Sequence, residues 1–514
     1  MAADGELEEL ITQQVNEWSS NSNGCFHISL VRSDGSEHAA FQPAFTYPIF
    51  GDEEAIFGYQ DLDIDLKFAA HDLRPELNVR YGKKFQAIGD IKPTDVKEPL
   101  RDFLPMEAFD TAVAGEATVA GWTPPGEKLR EYTKNGEKYE VWCASLTDPA
   151  AKKLLENMQI LVPMFIEGGT ILQLEQDWTT QRWKLFLLYR VFDDAAENTS
   201  PYAFVGFGTS YRVFTFPDRR QPDPYHLKLL QGDEASRAKV SQASAEDFVS
   251  ALCDDGVQSP LDLPSRERLS QFIILPTFQG AGHGQELYNA MYKHLIAPAN
   301  VIELTVEDPN EAFDDLRDLC DMLYLRANNP EFQNLRINTG VPAENLKPKS
   351  HIPVELIVPG DVTDKIRKQS KIHSRQLGRL VEMQTLSTIP AFNRSRNRIT
   401  RKERSTNEHD KAYFFWRLYA KHRIYIFNRD PLMQLDLQER PEKVEGALDS
   451  VLEGYTSMLE RVEAMEQGKP TVGGASRASR KRKVVDEDED DEWEDESEDE
   501  AVAANGSHKK ARIA

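Results

Sequence analysis

Residues 270 to 318, SQFIILPTFQGAGHGQELYNAMYKHLIAPANVIELTVEDPNEAFDDLRD, carry the side chains best placed to do chemistry. The run Phe272-Ile273-Ile274-Leu275 reads as a strand stopped by Pro276. Gln279-Gly280-Ala281-Gly282-His283-Gly284 follows, and Gln285 opens an amphipathic helix pattern to about Leu295. A strand that feeds a glycine turn at a helix N-terminus is an anion site. Its backbone N–H groups point outward, and the helix dipole favours phosphate. Glycine lets that backbone come close to a bulky ligand. A second strand-like run from Val301 ends at Glu307-Asp308, which puts two carboxylates beside the turn. A lysine ammonium has a pKa near 10.4, so a nearby base must take a proton from it before the nitrogen can attack. A third acid, Glu167, lies inside the apolar stretch Phe165-Ile166-Glu167-Gly168-Gly169.

The turn is not a P-loop, since no Lys-Ser or Lys-Thr pair follows the last glycine. Adjacent residues at a strand end point to opposite sides. One carboxylate can therefore face the cleft. Asp308 is then either a second acid of the site or the cap of a helix that Pro309 begins. Glu167 is either a site acid or a salt-bridged junction residue. His283 sits within the phosphate turn, where packing or helix initiation is the expected role. Cys320 falls two turns into a helix pattern and reads as core, with no acyl-cysteine route.

The elements around these residues suggest an α+β chain. Residues 1–155 alternate strand-like runs (CFHISLVR, DIDLKFAA, LNVRYGKKF, YEVWCASL) with polar turns, as expected of an α+β N-terminal domain. From 156 to 345 the pattern is a second domain. LLENMQILVPMFIEGG reads as a helix leading to a junction. WKLFLLYRVF and YAFVGFGTSYRVFTF read as an antiparallel hairpin, continued by the strand at 270–275. Residues 218–268 are polar and long for a connection, so they read as an insertion, with a helix near 244–253. Residues 5–18 suggest a short helix. Residues 346–467 are mostly helical, a C-terminal domain, and 468–514 form a low-complexity, disordered tail. That tail holds the basic cluster Arg480-Lys481-Arg482-Lys483, which resembles a nuclear localisation signal, and 13 acidic residues among the 15 from 486 to 500.

The formal net charge is −24 over 514 residues. The tail from Arg477 holds 8 basic and 13 acidic residues, so the rest of the chain is itself acidic. This argues against direct nucleic-acid binding and for basic partners. The four cysteines, Cys25, Cys143, Cys253 and Cys320, are scattered without a CxxC spacing, so reduced thiols and no metal site are expected. The acidic start MAADGELEELITQQ does not read as a signal peptide, so none is expected there, and no run reaches the ~18 apolar residues of a membrane span.

The spacing Gln-x-x-Gly-x-Gly resembles the pyrophosphate signature of GNAT-type N-acetyltransferases. FQGAGHGQELY, TVEDPNEAFDDLRD, MFIEGGT (164–170) and FGDEEAIFGYQDL (50–62) together resemble the family of type-B histone acetyltransferase catalytic subunits, in order from about residue 27 to about 325. The resemblance implies the GNAT acetyltransferase fold, a mixed, splayed sheet flanked by helices. It implies acetyl-CoA as co-substrate, held by Phe272, Ile273 and Ile274, by Gln279 to Gln285, and by Asn310 and Phe313. It makes Glu307 the general base, with Asp308 and Glu167 as further acids. It places Asp52, Glu53, Glu54, Tyr211, Arg212 and Val213 on the tail of histone four, with Trp183 as the tail-packing tryptophan and Trp178 as the alternative. It implies lysine 12, and lysine 5, of newly made histone four as targets. A WD-repeat histone-binding partner would touch Phe214 to Gln221. Location in cytoplasm and nucleus, and roles in chromatin assembly, silencing and DNA break repair, belong to the same implication. Two rivals remain: a GNAT enzyme for other amines, and an acidic histone chaperone that keeps the fold.

Overall fold

Leu185-Phe186-Leu187-Leu188-Tyr189 is apolar at every position, the pattern of a strand covered on both faces. All five side chains are buried. The computed structural model describes residues 17–89, 91–109, 119, 121–173, 177–193, 199–215, 261, 263–347, 351–396 and 406–468.

The strands are β1 (Ser19–Asn21), β2 (Phe26–Val31), β3 (Glu37–Phe41), β4 (Ala55–Phe57), β5 (Tyr59–Gln60), β6 (Asp63–Ala69), β7 (Pro75–Arg80), β8 (Lys83–Lys84), β9 (Glu127–Lys134), β10 (Glu137–Ser145), β11 (Trp183–Val191), β12 (Tyr202–Phe214), β13 (Ser265–Ile274) and β14 (Val301–Val306). The helices used below are α1 (Tyr47–Phe50), α2 (Pro149–Met158), α3 (Leu161–Phe165), α4 (His283–Ile296), α5 (Glu311–Asn328), α6 (Gly360–Ser370), α7 (Ser374–Ser387), α8 (Glu408–Phe427) and α9 (Arg440–Glu466). The chain is α+β.

A four-stranded sheet, β3-β2-β6-β7, carries the N-terminal region. A six-stranded sheet, β14-β13-β12-β11-β10-β9, carries the rest. The expected hairpin is β11–β12, and β13 continues it, all antiparallel. β14 alone joins in parallel, after the crossover through α4. Two boundaries differ from the sequence reading. β9 and β10, expected on the N-terminal side of residue 155, belong to the large sheet. Their partner β11 lies beyond that boundary, so local pattern could not reveal the pairing. β13 begins at Ser265, inside the expected insertion at 218–268, because Ser265 to Leu269 pair with β14.

Both faces of the large sheet are covered. Leu185, Leu187 and Tyr189 share a core with the N-terminal sheet and with α2 and α3. Phe186 and Leu188 share the other core with α4, α5 and the helices α6 to α9. The expected 345/346 boundary is thus no break in packing. Leu304 of β14 also bridges Ile372, and its N–H donates to Lys371 O at 2.7 Å. Lys371, at φ 56°, sends Nζ to Ile296 O and Pro298 O at 2.7 Å each. A cation there satisfies the carbonyls at the α4 C-terminus.

The expected helix at 5–18 falls, apart from its last two residues, outside the described residues. So do the helix near 244–253, the body of the insertion, Cys253, and the basic and acidic segments of the tail. Among the described residues no helix is long and apolar enough to cross a membrane, and no cluster of His, Cys, Asp or Glu could hold a metal.

Candidate functional site

The glycine turn is built on the end of β13. A single 3-10 turn, Pro276–Phe278, carries the chain to Gln279, whose Nε2 donates to Ile274 O at 2.8 Å. Gly280 and Gly282 take φ of 72° and 82°, a region that costs other L-residues about 1–2 kcal/mol. Gly282 is the residue before α4, and Ala281 lies between the two glycines. Space above Gly280 is open. Gly284, in the first turn of α4 with Gln285, packs on Phe272, Ile274 and Leu316. The N–H groups of that turn are the donors a phosphate needs.

His283 is buried against the Tyr139 ring, 4.4 Å between centroids, and its Nδ1 is 2.8 Å from the Tyr132 hydroxyl. Burial, helped by the Lys134 ammonium, pushes its pKa down to about 4. It stays neutral and packs, as its place in the turn suggested.

β14 leaves β13 early. Their pairing ends at Leu269 and Val306, closed by Glu307 N–H donating to Leu269 O at 2.9 Å. β13 stays paired with β12 as far as Ile274. Over Ser270 to Ile274, β14 therefore supplies no partner, and a wedge opens between the strands. Phe272, on this stretch, meets Phe313 of α5 edge-on at 5.1 Å. Ile273 and Ile274 are buried.

Glu307 stands at the mouth of that wedge. Tyr211 Oη donates to its Oε1 at 2.9 Å, and Ser270 Oγ donates to its Oε2 at 2.5 Å. Arg268 Nε lies 3.7 Å from Oε1. Burial first, and the Glu307 hydrogen bond second, push the Tyr211 pKa up to about 12, so its hydroxyl keeps its proton. Trp183 pairs with Tyr211 across the sheet, with ring centroids 4.6 Å apart.

Asp308 is not the cap of the next helix. Asn310 is: its side chain accepts from Phe313 N–H at 2.9 Å, and α5 starts at Glu311, two residues after Pro309. Asp308 is exposed at φ 35° and turns the chain out of β14.

Glu167 is exposed and has no ion pair among the described residues, so the salt-bridged junction is absent there. Its segment is nevertheless pinned at both ends. Gly168 N–H donates to the Tyr47 hydroxyl at 3.0 Å, and Gln271 Nε2 donates to Thr170 O at 3.0 Å. Ala44 and Phe45 N–H both reach Met164 O at 3.1 Å. The segment thus ties α1 to the residue beside Ser270.

The acidic trio follows α1. Asp52 and Glu53 are exposed. Glu54 is engaged: it accepts from Thr46 N–H at 2.7 Å, Tyr47 N–H at 3.1 Å and Asn23 Nδ2 at 2.6 Å. It satisfies the N-terminus of α1. Arg212 is also engaged, with Nε and Nη2 on the buried Glu267 at 2.9 and 2.8 Å. Val213 pairs with Arg266. Of the expected partner stretch, only Phe214 and Thr215 are described.

Sequence reading missed Tyr211 and Ser270 as holders of Glu307. Period-2 spacing puts Arg268, Ser270 and Phe272 on one face of β13. That was the available signal for Ser270.

Residues 18–167 match the family described as Histone acetyl transferase HAT1 N-terminus. The chain is 37% identical over 521 residues to a Gibberella zeae protein, covering 98% of this chain and 99% of that one. It is 35% identical over 471 residues to one from Aspergillus oryzae, covering 88% and 87%. It is 29% identical over 489 residues to one from Cryptococcus neoformans, covering 87% and 99%. All three bear the name Histone acetyltransferase type B catalytic subunit. Likeness at 35% and 37% identity over most of both chains places this protein in the family of histone acetyltransferase type B catalytic subunits.

Proposed function

We propose that the chain transfers acetyl from acetyl-CoA to a lysine amine on the N-terminal tail of newly made histone four, with lysine 12, and also lysine 5, as targets. The observation that carries this reading is Glu307, held at the mouth of the β13–β14 wedge beside the glycine turn. We read the wedge as that of the GNAT fold. The turn from Gln279 to Gln285 suits the pyrophosphate, and the open edge of Ser270 to Ile274 suits the pantetheine arm. Phe272 and Phe313 wall it, and Asn310 closes the first turn of α5 next to it.

In this reading the lysine ammonium loses a proton to Glu307, and the nitrogen of the resulting amine attacks the thioester carbon. The C–S bond breaks, and the CoA sulfur leaves as a thiolate that takes up the second proton released by the nitrogen. The two hydroxyl donors hold the carboxylate in place for that transfer. Asp308 and Glu167 add negative charge where a cationic lysine arrives. Asp52 and Glu53, together with the Trp183–Tyr211 stack, suit a basic, glycine-rich tail. A WD-repeat histone-binding subunit is the expected partner near Phe214 to Gln221. Action in cytoplasm and nucleus, in chromatin assembly, silencing and DNA break repair, completes the proposal.

The test is acetyl transfer from labelled acetyl-CoA to histone four tail peptides by wild-type protein and Glu307→Gln. Loss of one general base lowers the rate roughly 10²–10⁴-fold, with acetyl-CoA binding retained. Equal rates would move the base to Glu167 or Asp308.

A further inference from the structure

Three residues of β9 meet the first turn of α4. Arg130, Tyr132 and Lys134 alternate along the strand, so they share one face. Arg130 Nη2 pairs with Glu286 Oε2 at 2.6 Å. Tyr132 Oη meets His283 Nδ1 at 2.8 Å. Lys134 Nζ then sits over Gly282, where an added Cβ would collide with it. Each step up the strand is a step back along the helix, and the last falls on the glycine turn.

The charges along this face differ. Arg130 has its carboxylate. Among the described residues the Lys134 ammonium has none. The nearest acid on the facing strand is Glu137, which pairs with Lys134 in the ladder. Its carboxylate is taken by Arg190 Nη2 at 2.6 Å and the Tyr139 hydroxyl at 2.6 Å. An ammonium at a helix N-terminus faces the positive end of the dipole and a row of N–H donors, all of one sign. That arrangement is unfavourable alone and favourable around an anion. The hairpin is also firmly built. Asn135 and Gly136, at φ 52° and 81°, form the tight two-residue turn that fixes Lys134 at the last pair of the ladder. The Tyr132–Tyr139 stack, 5.3 Å between centroids, braces it.

We propose that Lys134 is a co-substrate-positioning residue. Its ammonium completes the diphosphate site of acetyl-CoA opposite the N–H groups of the glycine turn, so the β9–β10 hairpin acts as a clamp on α4. This rests on the acetyl-CoA reading of the turn. It adds a cation from a strand that sequence analysis had left in the N-terminal domain.

The experiment is calorimetric binding of CoA and of dephospho-CoA, which lacks the 3′-phosphate but keeps the diphosphate. It uses full-length wild-type, Lys134→Met and Lys134→Arg, with the thermal unfolding of each ligand-free protein measured alongside. One charge-assisted contact predicts that Lys134→Met binds both ligands about tenfold more weakly. Lys134→Arg restores most of the loss. In turnover, Lys134→Met raises the acetyl-CoA KM with kcat and the peptide KM unchanged. Unchanged affinity for both ligands overturns the proposal. A loss confined to CoA also overturns it, since Lys134 would then serve the 3′-phosphate. If wild-type protein bound neither ligand, the acetyl-CoA reading itself would fall, and the clamp with it.

Discussion

Tyr211 reaches across β13 to place its hydroxyl 2.9 Å from Glu307, two strands away in the sheet order. Ser270, on the strand between, holds the other carboxylate oxygen. Tyr211→Phe and Ser270→Ala each remove one hydrogen bond to a charged group, worth about 1.5–3 kcal/mol. We expect each to lower kcat roughly 10- to 100-fold, with acetyl-CoA affinity unchanged. Because the two share one carboxylate, the double variant should lose less than the product of the single losses. A strictly multiplicative loss in steady-state kinetics would rule out a shared role.

The cap of α5 gives a second test. Asn310→Ala removes the Phe313 N–H partner and should cost about 0.5–2 kcal/mol in urea unfolding. Asp308→Ala touches no cap and should leave stability within about 0.5 kcal/mol. A larger cost for Asp308 than for Asn310 would contradict the assignment.

Leu187 lies in the core shared by the large sheet and the N-terminal region. Leu187→Ala should destabilise the chain by about 2–5 kcal/mol. The effect is to be read from the denaturation midpoint at unchanged slope. A shift under about 1 kcal/mol would mean that the two sheets pack loosely.

The pKa of His283 sets a pH dependence. Buried and neutral, it titrates at about 4 when folded, below its ordinary value of 6.5. Between those values the unfolded chain binds a proton that the folded chain refuses. The resulting stability is fully present above pH 6.5 and is lost as pH falls toward 4. His283→Gln should flatten that part of the stability curve. A curve parallel to wild type would show that the histidine is not held neutral.

Local structure was legible in the sequence, and long-range pairing was not. The glycine turn, the helix after it and the strand from Val301 stand where pattern placed them, because each is set by neighbours within a few residues. Of the β9–β10 hairpin only β10 was visible, as the run YEVWCASL. Its place in the large sheet depends on β11, some forty residues on, and no local signal names that partner. The same limit hid the Tyr211 and Ser270 bonds to Glu307 and the position of Lys134 over Gly282. The cap of α5 failed for a different reason. Asp and Asn are about equally good caps, and the chain used Asn310, two residues after Asp308. The resemblance sets Glu54 and Arg212 against a histone tail, while in the structure both are held by partners within the chain that lie distant in sequence.

The order of strands in the large sheet has a consequence for how the molecule is made. From β9 to β13 each strand lies beside the one synthesised just before it, so the scaffold can be laid down as the chain emerges. β14 comes last and takes the outer edge, and its own far side waits for Ile372. A nascent chain halted after α4 would already own its glycine turn but not Glu307. The carboxylate at the mouth of the wedge is therefore added late in translation, when Glu307 docks onto hydroxyl groups that are already waiting for it.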